Sequence, residues 1–193
     1  MLTRHCLAVC SICCACAARF KTRALEIINR HGRTSSADQL QPLFLCYTSH
    51  IVHEPLQVPT EAFDRFGMIA SSKVHDYVAA DAAGAVGVPH RQTYAAMVYY
   101  MDSVVGEMRE ALESNGLWET TLWFHQSDNG GPSFAGSSHT ANNYPLKGSK
   151  TTNWQGGIRV NAFVSGGLLK TAAPDMIGRK LDGFVHVCDW CAA

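Results

Sequence analysis

Asp128 and Asn129 place a carboxylate and an amide oxygen side by side, directly after the apolar stretch 121–127 and before Gly130 and Gly131. Hard cations such as Ca²⁺ bind roughly six to eight oxygen ligands of these kinds. The same four residues are also a strong turn sequence, because Asp, Asn and Gly all favour tight turns. From these residues alone a turn is the favoured interpretation, and a partial calcium site is the alternative.

Two further residues have chemistry that suits an anion. His53 precedes Glu54 and Pro55 in a loop, and Lys150 ends a Lys-Gly-Ser-Lys run. Glycine beside lysine lets both backbone and ammonium approach an oxyanion. Most loop histidines are nevertheless simply solvated or hydrogen-bonded, and most loop lysines face solvent. Local sequence therefore leaves an anion-binding role and an ordinary surface role open for both residues.

The elements that must position these residues predict an α/β fold with a largely parallel sheet. Apolar residues recur at helical period along 94–114, and a second helix is predicted over 20–31. Continuous apolar runs, typical of strands buried on both faces, lie at 42–47, 121–127 and 159–165. Ligands of open α/β sheets bind beyond the carboxyl ends of the strands. We therefore expect His53, Asp128 and Lys150 to converge at one sheet edge.

Two stretches are less clearly patterned. Residues 60–90 are rich in alanine and glycine, which predicts a variable surface excursion in this region. Residues 185–190 carry a short apolar pattern that is compatible with the start of either a helix or a strand.

Overall composition excludes some classes of partner. The 193 residues carry sixteen basic and sixteen acidic side chains, so the formal net charge is zero. This balance leaves no electrostatic footprint for nucleic acid or an anionic membrane, and no apolar run is long enough to span a bilayer. A small anionic substrate stays compatible with the composition, because its site needs only a few local charges.

The N-terminus differs from the rest of the chain. Five of the eight cysteines lie in the first sixteen residues, and an apolar run over 6–18 follows two basic residues. This pattern resembles a short secretory signal, and the alternative is a spurious start ahead of a real domain. We therefore divide the chain at 1–19 and 20–193. A zinc site is the disfavoured interpretation of the cysteine pairs at the two chain ends, Cys10, Cys13, Cys188 and Cys191.

Six short blocks occur in an order and at a spacing that resemble one family. They include HEPLQVP at 53–59, SDNGG at 127–131, NYPLKGSK at 143–150 and GGIR at 156–159. Over roughly residues 20–190 the chain resembles the type I sulfatases, and among them the arylsulfatase B branch. The resemblance implies part of an alkaline phosphatase-like α/β sandwich around a mostly parallel sheet. Residues 20–193 would then be a partial sulfatase catalytic domain.

The resemblance further implies hydrolysis of sulfate esters with the help of a calcium ion. Carried over by motif, Asp128 and Asn129 would bind calcium, and Asp128 would help to protonate the departing oxygen. His53 would contact the sulfate, and Lys150 would neutralise its charge. The implied substrate is a sulfated small molecule or glycan, and the implied location is secreted or lysosomal.

The sequence departs from the family pattern at several points. The family makes its formylglycine nucleophile from the cysteine of a Cys-x-Pro/Ala-x-Arg motif, and no such motif occurs in the 193 residues. The paired N-terminal aspartates that complete the calcium shell are missing, and Gln155 replaces a usual glutamate. We therefore expect this chain alone to be inactive. The alternatives are a truncated relative that binds an anion or a partner and, less favoured, a phosphohydrolase of the same superfamily.

Overall fold

Two long helices, one pair of strands and several short helices make up the computed structural model, which describes residues 11–34, 42–54, 56–66, 90–133 and 141–191. In chain order the elements are α1 Ser11–Thr34, α2 Thr60–Asp64, α3 His90–Ser114, β1 Trp123–Gln126, α4 Gln155–Ile158, β2 Ala162–Ser165 and α5 Leu169–Ala172. Short 3-10 helices span Trp118–Thr120, Pro174–Met176 and Val187–Cys191.

The two long helices pack side by side and run in the same direction. Lys21 Nζ lies 2.9 Å from Glu107 Oε1 near the middle of the pair. Toward their C-terminal ends, Asn115 Nδ2 donates to Asn29 Oδ1 at 2.8 Å. In each pair the two residues are 86 positions apart in sequence, so α1 and α3 keep one register from the first pair to the second. Parallel neighbours of this kind require a crossover connection, as in α/β layers.

The helical stripe predicted over 94–114 forms the centre of the core. Met97, Val104, Met108 and Leu112 are all buried, and Ile28 of α1, which is 1% exposed, belongs to the same cluster as the last three. These positions on α3 are seven, four and four residues apart, so they share the face that contacts α1. Fully burying each such side chain contributes about 1.5–3 kcal/mol. The α3 prediction is therefore confirmed, with a helix that begins four residues earlier than expected.

Helix α1 is longer than the predicted 20–31 and begins at Ser11. Its residue Ala17 is 4% exposed and belongs to the same cluster as Ala96 and Met97. The helix therefore crosses the expected division between 1–19 and 20–193, a division that stays a prediction. No helix among the described residues is both long and apolar enough to cross a membrane.

The two strands pair in the opposite sense to the one predicted. Trp123 lies opposite Ser165 and Gln126 opposite Ala162, so β1 and β2 are antiparallel and shorter than 121–127 and 159–165. A parallel pair needs a crossover of a dozen or so residues, usually a helix, but the described connection contains only the single turn of α4. The strands are also not buried on both faces, since Phe124 is 46% and Phe163 is 53% exposed.

Residues 42–47 do not form the predicted strand. The segment has no regular structure, and its side chains alternate between exposed and partly buried only from Phe44 to Tyr47. Leu45 and Tyr47 pack against the helical core, whereas Phe44 and Cys46 are exposed. Burial, helped by nearby Tyr100, raises the pKa of the Tyr47 phenol above its ordinary value. The apolar run is thus half-buried, because only one of its faces meets a helix.

The prediction of a surface excursion over 60–90 is wrong at the start of this region. Helix α2 buries Ala62, and Val58 just before it is fully buried in the cluster shared with α1 and α3. Residues 67–89 lie outside the described residues, so the excursion is untested there. At the other end of the chain, a 3-10 helix over Val187–Cys191 overlaps most of the ambiguous 185–190 region.

Candidate functional site

The loop after β1 is fastened to the chain that precedes β2. Ser127 N donates to Asn161 O at 3.1 Å, and Gly130 N donates to Gly157 O at 2.9 Å. These bonds continue the antiparallel pairing of the strands into the loop region. Asp128 and Asn129 are therefore held on a short bridge between two backbone attachments.

This attachment depends on glycine because the backbones approach too closely for a side chain. A Cβ placed on Gly130 would lie 1.8 Å from the carbonyl oxygen of Gly156. A Cβ on Gly156 would in turn lie 2.3 Å from the carbonyl oxygen of Gly148. The obstacles are backbone atoms, which cannot rotate away as a side chain can. The glycine-rich character of these two blocks thus has a steric cause.

A polar clasp joins the Asp128 loop to the Lys150 loop. Asn143 accepts from Gly131 N at 3.0 Å and donates to Gly131 O at 2.7 Å. The buried Ser149 hydroxyl accepts from Ser133 N at 2.8 Å. Lys150 N donates to Gly131 O at 3.2 Å. Sequence reasoning did not single out Asn143 and Ser149, although both lie in the NYPLKGSK block that it used.

His53 and Lys150 meet directly although 97 residues separate them in sequence. Lys150 Nζ lies 3.2 Å from His53 Nε2. The other ring nitrogen, Nδ1, lies 2.9 Å from the backbone oxygen of Glu54. A carbonyl oxygen can only accept, so Nδ1 carries the proton and Nε2 accepts from the ammonium group. This network assigns a neutral His53 beside a charged Lys150.

That assignment makes a direct prediction for solution. Long-range ¹H–¹⁵N correlation spectra of the chain should show His53 as the Nδ1–H tautomer at a pH where the ring is neutral. In Lys150→Ala the Nε2 acceptor loses its donor, so its ¹⁵N shift should move. A His53 ring that shows the Nε2–H tautomer in the unmodified chain would contradict the proposed contact.

Asp128 and Asn129 present oxygens that are available to a cation. In the part of the chain that the structure describes, the Asp128 carboxylate is exposed and has no hydrogen-bond or ion-pair partner. Asn129 uses its amide nitrogen to donate to Gly130 O at 3.0 Å, which leaves its Oδ1 as an acceptor. Ser127 Oγ donates to Asn129 O at 3.0 Å, as expected of a turn. The turn and the ligand interpretations are therefore compatible.

The donor types fit calcium, but the number of donors does not complete a site. Calcium binds roughly six to eight oxygens, and Asp128 and Asn129 supply only a fraction of them. No group of three or more His, Cys, Asp or Glu side chains that could hold a metal occurs in the described ranges. Cys188 of the disfavoured zinc interpretation lies in these ranges, whereas Cys10 lies outside the described residues. Calcium binding stays a prediction.

The structure brings two of the three candidate residues into direct contact. His53 and Lys150 are in contact, and the Lys150 backbone is bonded to Gly131, three residues after Asp128. Asp128 is thus tied to Lys150 through the loop backbone, while the described residues show no direct bond between their side chains. Lys150 contacts neutral His53 instead. Arg159, at the end of the GGIR block, donates to the neutral Gln155 Oε1 at 3.2 Å.

Comparison with known proteins gives a consistent result. A protein-family model described as Sulfatase matches residues 17–192. Arylsulfatase J of Mus musculus is 34% identical over 171 residues, which is 89% of this chain. A protein named Sulfatase from Formosa agariphila is 40% identical over 75 residues, 35% of this chain and 13% of that protein. The family model and the match to Arylsulfatase J both extend over the blocks that carry His53, Asp128 and Lys150.

A solved structure is similar in three dimensions. The crystal structure of Ps i-CgsB in complex with k-i-k-neocarrahexaose superposes with a TM-score of 0.59 at 29% identity and covers 77% of this chain. The predicted α/β class of an alkaline phosphatase-like fold is confirmed by this match, although the described strand pair is antiparallel. The chain spans 23% of the length of Arylsulfatase J and 27% of that of Ps i-CgsB.

Proposed function

Because the chain belongs to the sulfatase family, we propose that it supplies the sulfate-binding half of a sulfuric ester hydrolase site. The contact between His53 and Lys150 is the observation that carries this proposal. It joins two distant blocks of the sequence at one point, next to the loop of Asp128. A cation beside a histidine, with exposed oxygens nearby, is a suitable arrangement for a sulfate monoester and a metal ion.

Lys150 would bind the sulfate through its ammonium group, which balances the negative charge of the ester. His53 must then change its role, because a neutral ring whose Nε2 is an acceptor repels a sulfate oxygen. We propose that Nε2 takes up a proton as sulfate binds and donates it to a sulfate oxygen as a hydrogen bond. Two donors would then face the anion. The Glu54 carbonyl would orient the His53 ring, and the clasp around Gly131 would hold Lys150.

Proton uptake on binding can be measured directly. Calorimetric titration of sulfate into the chain, in buffers of different ionisation enthalpy, should show net uptake that His53→Gln abolishes. Binding enthalpies that do not depend on the buffer would show that His53 keeps its neutral state.

Calcium would be held by the Asp128 carboxylate and Asn129 Oδ1, with the remaining ligands from outside the described residues. When bound, the ion would polarise the sulfate group and stabilise the charge that develops on its oxygens. Asp128 would also hold a proton for the departing oxygen. The exposure of Asp128 and its lack of a partner in the described ranges support this role.

The test of the proposed function is sulfate binding by the 193-residue chain itself. Sulfate should bind to the unmodified chain, and Lys150→Ala should weaken binding about tenfold or more, since one charge-assisted contact is lost. Lys180→Ala is the matched control, because Lys180 is exposed and Asp182 is its only partner among the described residues. Ionic strength is held constant with chloride, since sulfate stabilises folded proteins non-specifically. Equal affinities for Lys150→Ala and the unmodified chain would overturn the assignment.

We further propose that the chain by itself does not hydrolyse sulfate esters. It contains no Cys-x-Pro/Ala-x-Arg motif, and Cys46 and Cys188 are exposed thiols outside any such motif. The purified chain should hydrolyse a chromogenic aryl sulfate no faster than the background rate. Turnover that disappears in Asp128→Ala would contradict this expectation. An inactive relative that binds an anion would give the same sulfate binding without turnover.

The substrate class that we propose is a sulfated small molecule or glycan. The structure of Ps i-CgsB in complex with k-i-k-neocarrahexaose supports the glycan. We propose a secreted or lysosomal location for the protein that carries this chain, because membership of the sulfatase family supports the location that the sequence resemblance implies.

A further inference from the structure

Lys147 and Trp154 form an exposed pair beside the candidate site. Lys147 Nζ lies 3.9 Å from the centre of the Trp154 ring, well within the range of a cation–π contact. The Trp154 backbone oxygen accepts from Gly157 N at 2.8 Å, and a Cβ on Gly148 would lie 2.4 Å from Trp154 Cβ. The ring is therefore anchored on the turn that also carries Lys150.

This pair is not part of the core. Trp154 is 55% exposed and belongs to neither of the two hydrophobic clusters. Trp118 gives the contrast, since it also lies under a cation, Arg109 at 5.1 Å, but packs against the helical core. An aromatic side chain that leaves more than half of its surface in water gains little from folding. The exposure of Trp154 therefore points to a use in binding.

The charges around the site point to an anionic ligand. Among the five lysines that the structure describes, three pair with carboxylates: Lys21, Lys170 and Lys180. The other two, Lys147 and Lys150, contact a tryptophan ring and a neutral histidine instead. Two ammonium groups three positions apart on one loop, without a described acidic partner, create a local positive potential in an otherwise neutral chain.

We propose that Lys147 and Trp154 form a subsite for a second, anionic sugar of a sulfated glycan. The proposal rests on the proposed function, in which Lys150 and His53 take the sulfate of the first sugar. The C–H face of a pyranose carries partial positive charge and stacks on the negative face of the indole. Lys147 pairs with a sulfate or carboxylate group on the same sugar. The pair therefore selects oligosaccharides over small aryl sulfates.

Calorimetric titrations of the full chain test this subsite with three probes: inorganic sulfate, a sulfated galactan hexasaccharide and the same hexasaccharide after chemical desulfation. Trp154→Ala and Lys147→Gln should each weaken binding of the sulfated hexasaccharide about tenfold and leave inorganic sulfate within about twofold. Trp154→Phe should keep most of the affinity. Arg109→Gln, which removes the cation over Trp118, is the matched control and should change neither probe.

The outcomes separate the subsite from the proposed function. Loss of hexasaccharide affinity in the Trp154 and Lys147 variants, with sulfate affinity kept, supports the subsite. This conclusion holds whether or not Lys150→Ala weakens binding of inorganic sulfate. Unchanged hexasaccharide affinity in these variants overturns the subsite, even where Lys150→Ala weakens inorganic sulfate. The subsite is also overturned if the variants lose equal affinity for inorganic sulfate and for the sulfated hexasaccharide. The same holds if the desulfated hexasaccharide binds as tightly as the sulfated one. If Trp154→Ala does not fold, Lys147→Gln and Trp154→Phe decide between these outcomes.

Discussion

Lys150→Ala should lower kcat for an aryl sulfate about 100-fold or more in a sulfatase polypeptide that contains this chain together with a formylglycine segment. In the proposed site the ammonium group would face the point at which charge develops on the sulfuryl oxygens, and the bond from Lys150 N to Gly131 O would hold the residue there. Its removal also leaves His53 as the sole described donor to the anion. Stabilisation of the transition state should therefore fall more than substrate binding does.

Asp128→Ala should have an effect of the same order in that polypeptide, through loss of a calcium ligand and of the proton for the leaving group. The control is again Lys180→Ala, whose only described partner is the exposed Asp182. Steady-state kinetics with the purified variants measure kcat and KM separately. A decrease confined to KM, with kcat unchanged, would show that Lys150 binds substrate without acting on the reaction.

Gly130→Ala should cost about 2–3 kcal/mol of unfolding free energy, a large fraction of the stability of a small domain. The new methyl group would lie 1.8 Å from the Gly156 carbonyl oxygen, so the loop after β1 would have to move away from the chain before β2. Because Lys150 is bonded to the neighbouring Gly131, sulfate affinity should fall along with stability.

Gly106→Ala provides a control, because it should change the free energy of unfolding in the opposite direction. Gly106 lies within α3 with nothing inside 4 Å of an added Cβ, so alanine should stabilise the helix by about 0.5–1 kcal/mol. Urea unfolding followed by circular dichroism measures both variants on one scale. Equal midpoints for Gly130→Ala and the unmodified chain would show that the two loops are not in the close contact described.

Local sequence was sufficient for the features that depend on local physics. The spacing of Met97, Val104, Met108 and Leu112 predicted the helix and its buried face, because helical periodicity is a property of neighbouring residues. The order of the short blocks was likewise sufficient for the family, which the match over 17–192 confirms. The residue types at Asp128 and Asn129 suit a hard cation, and calcium binding there stays a prediction.

Tertiary structure alone decided how distant segments meet. The antiparallel sense of β1 and β2 and the half-exposed course of 42–47 depend on which neighbours each segment finds, and an apolar run looks alike in every case. The contact of His53 with Lys150 joins residues that are 97 positions apart. The sequence determined which groups are present, whereas the close packing of glycine backbones determined where they converge.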